Sequence, residues 1–313
     1  MKIFLRDHKN GKEKIMNYPL RAFDRASMDA FMPAEKIGLV ASVDPGGLPH
    51  ITLITSIRSS GPSTLTLGEF CKGASKSNIQ KNPKTAFLIM TMDRKMWRGH
   101  ALWTHLRREG PEYQAYNDLP MFRYNAYFGI NTVHYLDLVD AAGPDPLPMG
   151  SIIAASLASL VNARAAAPEK GDDNARILSH FAEKLINTLG ALKFLAYIRD
   201  DGFPEIIPVF QCRAAGSRRL VFSALAYRRE LQKIAPGTTA AIFSVTMQME
   251  DVLVRGRFSG VSTNIILPYA YVDIDWVYNS MPPAHGRIYP PSPLEPVRQW
   301  DDFYRAGGDA PAR

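Results

Sequence analysis

The chain has 313 residues, 46% of them apolar, and a formal net charge of +7. That is enough apolar material for a core in each of two ordinary domains, so disorder is not the default. The positive charge suits an anionic ligand, nucleic acid or an acidic membrane surface and does not choose among them. The two cysteines, Cys71 and Cys212, form no CxxC or metal-ligand spacing, which argues against a disulfide scaffold and fits a reducing cytoplasm.

In chain order, the opening MKIFLRDHKNGKEKIMNYPL carries charge but no apolar run of the kind a secretory signal needs. Met28, Phe31 and Met32 predict a short helix. Strands rich in Val, Ile, Leu and Thr follow, folded back at DPGG, Asp44 to Gly47, where Gly supplies the positive φ of a hairpin. Then comes GEFCKGASKSNIQKNP, Gly68 to Pro83. A basic turn rich in Gly and Ser that opens into a helix seats an anion well, and phosphate is the first candidate. An insertion, LRREGPEYQAYNDLPMFRYNAYFGIN, precedes the last strand of this half; its rings, Tyr113 and Tyr124 to Phe128 among them, read as an aromatic subdomain or as a lid over a planar ligand. The most apolar segment, Ser151 to Ala167, is short, rich in Ala and Ser, and interrupted by Asn162 and Arg164, so it reads as a connecting helix and not a membrane span. Ile177, Leu178, Phe181, Leu185 and Leu189 predict a further helix, begun at Asp172 or Asp173 and stopped by Gly190.

The chain contains itself twice. With no gap, Ile37 to Phe70 aligns with Leu192 to Leu225, placing Gly47 on Gly202, Pro49 on Pro204, Arg58 on Arg213, Gly61 on Gly216 and Leu65 on Leu220. With small gaps the match continues to Arg98-Gly99 beside Arg255-Gly256, and VHYLDLVD beside YAYVDIDW. Regularly spaced strands with turn signals and one or two helices suggest a small closed or split barrel in each half. The expected fold class is mainly β (α+β), two tandem split β-barrels with flanking helices. The expected domains are residues 20–146 for the first barrel with its insertion, 147–171 for a linker helix, 172–290 for a divergent second barrel, and 291–313 for a tail.

These features resemble the FMN-binding split barrel of the pyridoxamine 5'-phosphate oxidase-like group. The resemblance rests on the short helix, KIGLVASVDPGGLPHITLITS, the strand ending in LTLGEFCKGASKSNIQKNPKTAFLIM, and RGHA; a weaker copy spans about 172 to 278. It implies that the strand Thr52, Leu53, Ile54, Thr55 and Ser56 lies along the flavin ring. It further implies that Glu69, Phe70, Lys72, Ser75, Lys76 and Asn78 hold the ribityl phosphate. Where vitamin B6 oxidases of the group carry Arg and Lys on the ring-facing strand, this chain has Thr52 and Ile57, which counts against that substrate. The second copy lacks the Gly-x-Ser-Lys cradle, although Arg228 and Arg229 leave a second site open.

The function so implied is FMN-dependent hydride transfer to or from a small organic substrate, with NAD(P)H or oxygen as redox partner. The alternatives are a deazaflavin or haem in the same fold, or a flavin-binding protein without catalysis. No nucleic-acid motif, metal-ligand pattern or membrane anchor stands out. Members of the group dimerise with the flavin at the seam, and two barrels in one chain can build that seam internally, with homodimerisation of whole chains left open. Among single residues, His50 is the best candidate for a contact near the substrate, and Trp97 reads equally as cofactor edge or core.

Overall fold

The computed structural model describes residues 18–69, 73–119, 129–166, 176–262, 266–279 and 286–290. The expectations for Phe70, Cys71, Lys72, Tyr124, Phe128, Asp172, Asp173 and the tail from 291 onward lie outside them.

The first copy begins with α1 (Arg25–Ala30), whose N-cap Asp24 accepts from Ser27 N at 2.8 Å and so satisfies an otherwise orphaned helix donor. The antiparallel strands β1 (Lys36–Val43), β2 (Pro49–Leu53), β3 (Arg58–Gly61) and β4 (Thr64–Glu69) lead to α2 (Ala74–Lys81). Then come β5 (Lys84–Thr91), β6 (Lys95–Arg107), α3 (Pro111–Asn117) and β7 (Thr132–Pro146). A connecting helix, α4 (Met149–Ala165), leads to α5 (His180–Asn187) and the second set. That set comprises β8 (Leu192–Ile198), β9 (Pro204–Pro208), β10 (Arg213–Ala214), β11 (Arg219–Ser223), α6 (Arg228–Leu231), β12 (Thr239–Val245), β13 (Asp251–Phe258) and β14 (Tyr269–Asn279). A final strand, β15 (Gly286–Tyr289), pairs with β14.

The first sheet has the order β2-β1-β5-β6-β7-β4-β3; the second, read from its far edge, has β9-β8-β12-β13-β14-β11-β10. Exchanging each strand for its repeat counterpart makes the two orders identical. Register repeats too: Ala41 faces Ala86 as Ala196 faces Ala241, and Leu65 faces Leu136 as Leu220 faces Val272. Both expected hairpins form, with Gly47 at φ +76° and Gly202 at φ +81°.

Three local expectations are corrected. The Arg98-Gly99 and Arg255-Gly256 pairs are not spatial counterparts. His100 faces Ala86 where Arg255 faces Ala241, and Arg98 faces Leu88 where Leu253 faces Phe243. In the second copy the helix that carries Phe181 and Leu185 has its N-cap at Ser179, past Ile177 and Leu178, and the Ser179 hydroxyl accepts from Ala182 N at 3.1 Å. Its eight residues end before Leu189, which is 98% exposed, so the apolar stripe narrows to Ala182, Leu185 and Ile186. Finally, β2 stops at Leu53, and Ile54 to Ser56 form a turn closed by Ile57 N donating to Ile54 O.

The two sheets share a core. Leu39, Ile51, Leu88 and Met96 of the first pack with Phe194, Ile206, Phe243 and Leu253 of the second. Burial of such side chains drives association at roughly 25 cal/mol per Å² of apolar surface. The contacts respect the repeat, since β2 meets β12 and β9 meets β5. No helix among the described residues is long and apolar enough to cross a membrane.

Candidate functional site

Helix α2 starts at Gly73, which is extended at φ −146° and makes no side-chain cap bond. A Cβ placed on Gly73 would meet nothing within 4 Å, so space lies open beside a helix start whose first N–H groups lack an intrahelical partner. The helix is anchored by Ile79, 1% exposed in the first copy's core. Ser75 and Asn78 are buried on the same helix, and Asn78 Nδ2 donates to Ser42 Oγ at 3.3 Å. Lys76 is half-buried, and Ala74 packs against the shared core, so the helix start sits beside the seam between the copies.

The other expected residues lie on the strands beneath. Thr52, half-buried, pairs with Val40. Ile54 puts its side chain into the core while its N–H donates to Gly38 O at 2.7 Å. Thr55 is half-buried, and Ser56 Oγ donates to Gly68 O at 2.9 Å. Glu69, at the end of β4, receives a hydrogen bond from His134 Nε2 at 2.8 Å. The tautomer follows from the network: the Trp103 indole N–H can only donate, at 3.2 Å, so Nδ1 of His134 accepts and Nε2 carries the proton.

The second copy supplies a facing wall that the sequence did not reveal. Arg255 Nη1 donates to Asp44 Oδ2 at 2.6 Å, and its guanidinium lies 3.8 Å from the centre of the Trp276 ring. Trp276 stacks on Tyr278 with centroids 5.4 Å apart, and His50 meets Tyr278 edge-on at 5.2 Å. His50 is 3% exposed. Burial, helped by the Arg255 charge and opposed by Asp44, lowers its pKa to about 4. Its ring is therefore neutral at physiological pH. Trp97 belongs to the core, donating from Nε1 to Ser27 Oγ at 3.1 Å. In the insertion, Tyr116 is buried and donates to Ser56 O at 2.7 Å, so at least this ring braces the turn after β2.

The equivalent place at the other end of the seam has the opposite chemistry. Glu205 stands where His50 does, and His100 where Arg255 does; His100 Nδ1 lies 2.6 Å from Asp140 and Nε2 3.3 Å from Glu205. Arg199 Nη1, 3.4 Å from the same Glu205 carboxylate, completes the cluster. Tyr18 donates to Glu205, and Arg98 forms a two-pronged pair with Glu230 at 2.7 and 3.2 Å. A cavity of about 410 Å³ lies here, lined by Tyr18, Tyr197, Arg199, Glu205, Glu230 and Lys233, among others.

This cluster yields a pH prediction. Burial disfavours the His100 charge, but its hydrogen bonds to Asp140 and Glu205 outweigh that and push the pKa up to about 9. The ordinary value is about 6.5, so charged His100 adds stability that is complete below about pH 6.5 and is lost as pH rises through 9. Urea unfolding should show a decline of up to roughly 3 kcal/mol over that interval. The decline should flatten in His100→Gln; an unchanged pH profile in that variant would remove His100 as its source.

No family model matches the sequence, and no curated protein matches it. The fold is decided by the repeated strand order. Each copy is a split barrel. Solved structures similar in fold include HupZ of Group A Streptococcus, at 20% identity over 38% of this chain and 92% of that one, TM-score 0.32. An FMN-binding protein from Syntrophomonas wolfei matches at 16% identity over 40% and 90% of the two chains, TM-score 0.33. An F420 reductase matches at 18% identity over 34% and 90%, TM-score 0.28. The likeness is one of fold. Around the shared seam, the start of α2 offers neutral donors and a lysine, while the second copy's end holds carboxylates already paired with Arg98, Arg199 and His100.

Proposed function

We propose that the protein binds FMN at the first copy's end of the seam and works as an oxidoreductase on a small organic molecule, with NAD(P)H or oxygen as the other redox partner. The observation that carries this is the start of α2, an uncapped Gly73 with open space beside it, followed by buried Ser75 and Asn78 and half-buried Lys76. That donor set suits a phosphate, which carries close to two negative charges and gains from ammonium and N–H donors at a helix start. The second copy's end does not suit one, because its cations there are already committed to carboxylates, Arg98 to Glu230 and both His100 and Arg199 to Glu205. One FMN per chain follows.

When bound, FMN supplies hydride and electron transfer, and the protein supplies position and electrostatics. Lys76 and Ser75 would hold the phosphate, with Lys72, four residues before Lys76 in the sequence, as a further candidate. The backbone from Thr52 to Ser56 would present polar groups to the ring edge, its shape set by Ile54 in the core and by Tyr116 on Ser56 O. Glu69, bound to His134, would fix the end of β4 from which the turn departs. From the second copy, Arg255 and Trp276 would close the far wall and keep water out, and neutral His50 beside them would add no charge to repel an apolar substrate.

The test is an FMN titration followed by flavin fluorescence. Lys76→Ala should weaken binding by about tenfold to a hundredfold, the worth of one charge-assisted hydrogen bond of roughly 1.5–3 kcal/mol. Unchanged affinity would take Lys76 out of the site, and a colourless protein that refuses added FMN would end the proposal.

A further inference from the structure

A second cavity, of about 510 Å³, lies away from the candidate flavin site, between the start of α4, the β5–β6 turn and the start of β8. Its size falls within the roughly 300–1,000 Å³ of small-molecule sites. Leu147, Met149, Ile152, Met90 and Phe210 give it an apolar wall, and Lys193 and Gln211 sit among them. Lys193 is 5% exposed, and among the described residues its ammonium has no ion pair, with one long hydrogen bond to Phe210 O at 3.4 Å. Burial lowers its pKa, and the adjacent Cys212 thiol, pushed up to about 12 by its own burial, stays neutral and gives no counter-charge. Gln211 is 2% exposed; its Nε2 donates to Ser223 O at 2.7 Å, while its Oε1 is buried with no partner among the described residues.

The repeat makes this pocket a departure and not a packing fault inherited by both copies. Lys193 occupies in β8 the position of Gly38 in β1, and Cys212 aligns with Ile57. The backbone bonds are the same, Val209 N to Lys193 O at 2.9 Å and Ile54 N to Gly38 O at 2.7 Å. In the first copy a Cβ on Gly38 would lie 2.5 Å from Ile57 Cγ2, so the place is full. In the second copy the smaller Cys212 accompanies a long cationic side chain. A buried ammonium without a counter-ion is costly, and the cost falls when an anion joins it.

We propose that this cavity binds an apolar carboxylate, its head group on Lys193 and its hydrocarbon body along the Met149, Ile152 and Phe210 wall. The methionines suit such a ligand, since unbranched thioether side chains adapt to varied apolar shapes. The proposal is independent of the flavin reading.

Calorimetric titration with decanoate, and with 1-decanol as the uncharged comparison, tests it. Decanoate should bind once per chain and at least tenfold more tightly than 1-decanol. Lys193→Met should abolish that preference. This variant removes a buried charge, so it should fold at least as stably as the parent, and Met149→Trp, which fills the cavity from its rim, should block both probes. Absence of saturable decanoate binding, equal affinity for the alcohol, or a preference that survives Lys193→Met would each overturn the proposal.

Discussion

Glu230→Ala should lower the unfolding free energy by about 3–5 kcal/mol, the usual cost of removing one partner from a buried ion pair. Glu230 comes from the second copy and holds both terminal nitrogens of Arg98 from the first, with side chains 13% and 3% exposed. Arg98 also donates to Ile206 O at 2.9 Å, and its Nε is already buried without a partner among the described residues. Truncating Glu230 therefore strands a cation inside the seam. The double variant Arg98→Met with Glu230→Leu should recover most of the loss, because replacing a whole buried pair by apolar groups is often neutral. Urea unfolding of the three proteins decides it. A loss below about 1 kcal/mol in Glu230→Ala would mean that water reaches the pair and screens it as it does surface pairs.

Gly256→Ala should destabilise the second sheet by a clash that no side-chain movement relieves. A Cβ there would lie 1.9 Å from Asp273 O, 2.6 Å from its carbonyl carbon and 2.9 Å from Val272 Cγ1. Two of these atoms are backbone and cannot swing away, so β13 and β14 must separate locally. Overpacking of this kind costs about 1–3 kcal/mol or more in well-packed cores. The register slips between Arg255 and Gly256, and such a bulge re-aims the side chain beside it. The variant should thus lose stability and also disturb Arg255 against Asp44 and Trp276, read as a change in Trp276 fluorescence before unfolding begins. Parent-like stability with parent-like fluorescence would contradict the account of this bulge.

The repeat was legible in the sequence because hairpin glycines and prolines mark register. Gly47 with Gly202 and Pro49 with Pro204 pin the first two strands of each copy without a gap, and the structure keeps that pairing. The later strands were harder to align. Arg98-Gly99 and Arg255-Gly256 look alike as letters, yet bulges in the β6–β7 and β13–β14 ladders set the facing pairs, and His100 is what stands in Arg255's place. Identity of letters carried no information about which residue reaches across the seam.

The candidate site was legible on one side. Gly73, Ser75, Lys76 and Asn78 follow from a local pattern, a basic Gly- and Ser-rich turn before a helix. Trp276, Tyr278 and Arg255 come from far along the chain and join the site only when the two sheets pack, so nothing local points to them. Their alternation on β13 and β14 reads as ordinary strand patterning. The carboxylates that replace the cradle in the second copy are similar: Glu205 and Glu230 look like solvated charges in sequence, and burial against Arg98, Arg199 and His100 gives them a role.

The central claim is that the start of α2 recognises a phosphate on a flavin held between the copies. The most direct measurement compares FMN with riboflavin, which lacks only the phosphate, in fluorescence titrations of the full chain. Saturation at one FMN per chain is expected, with riboflavin binding weaker by about a hundredfold or more, since ammonium and helix N–H donors lose their partner together. Equal affinity for the two flavins, or two FMN per chain, would contradict it.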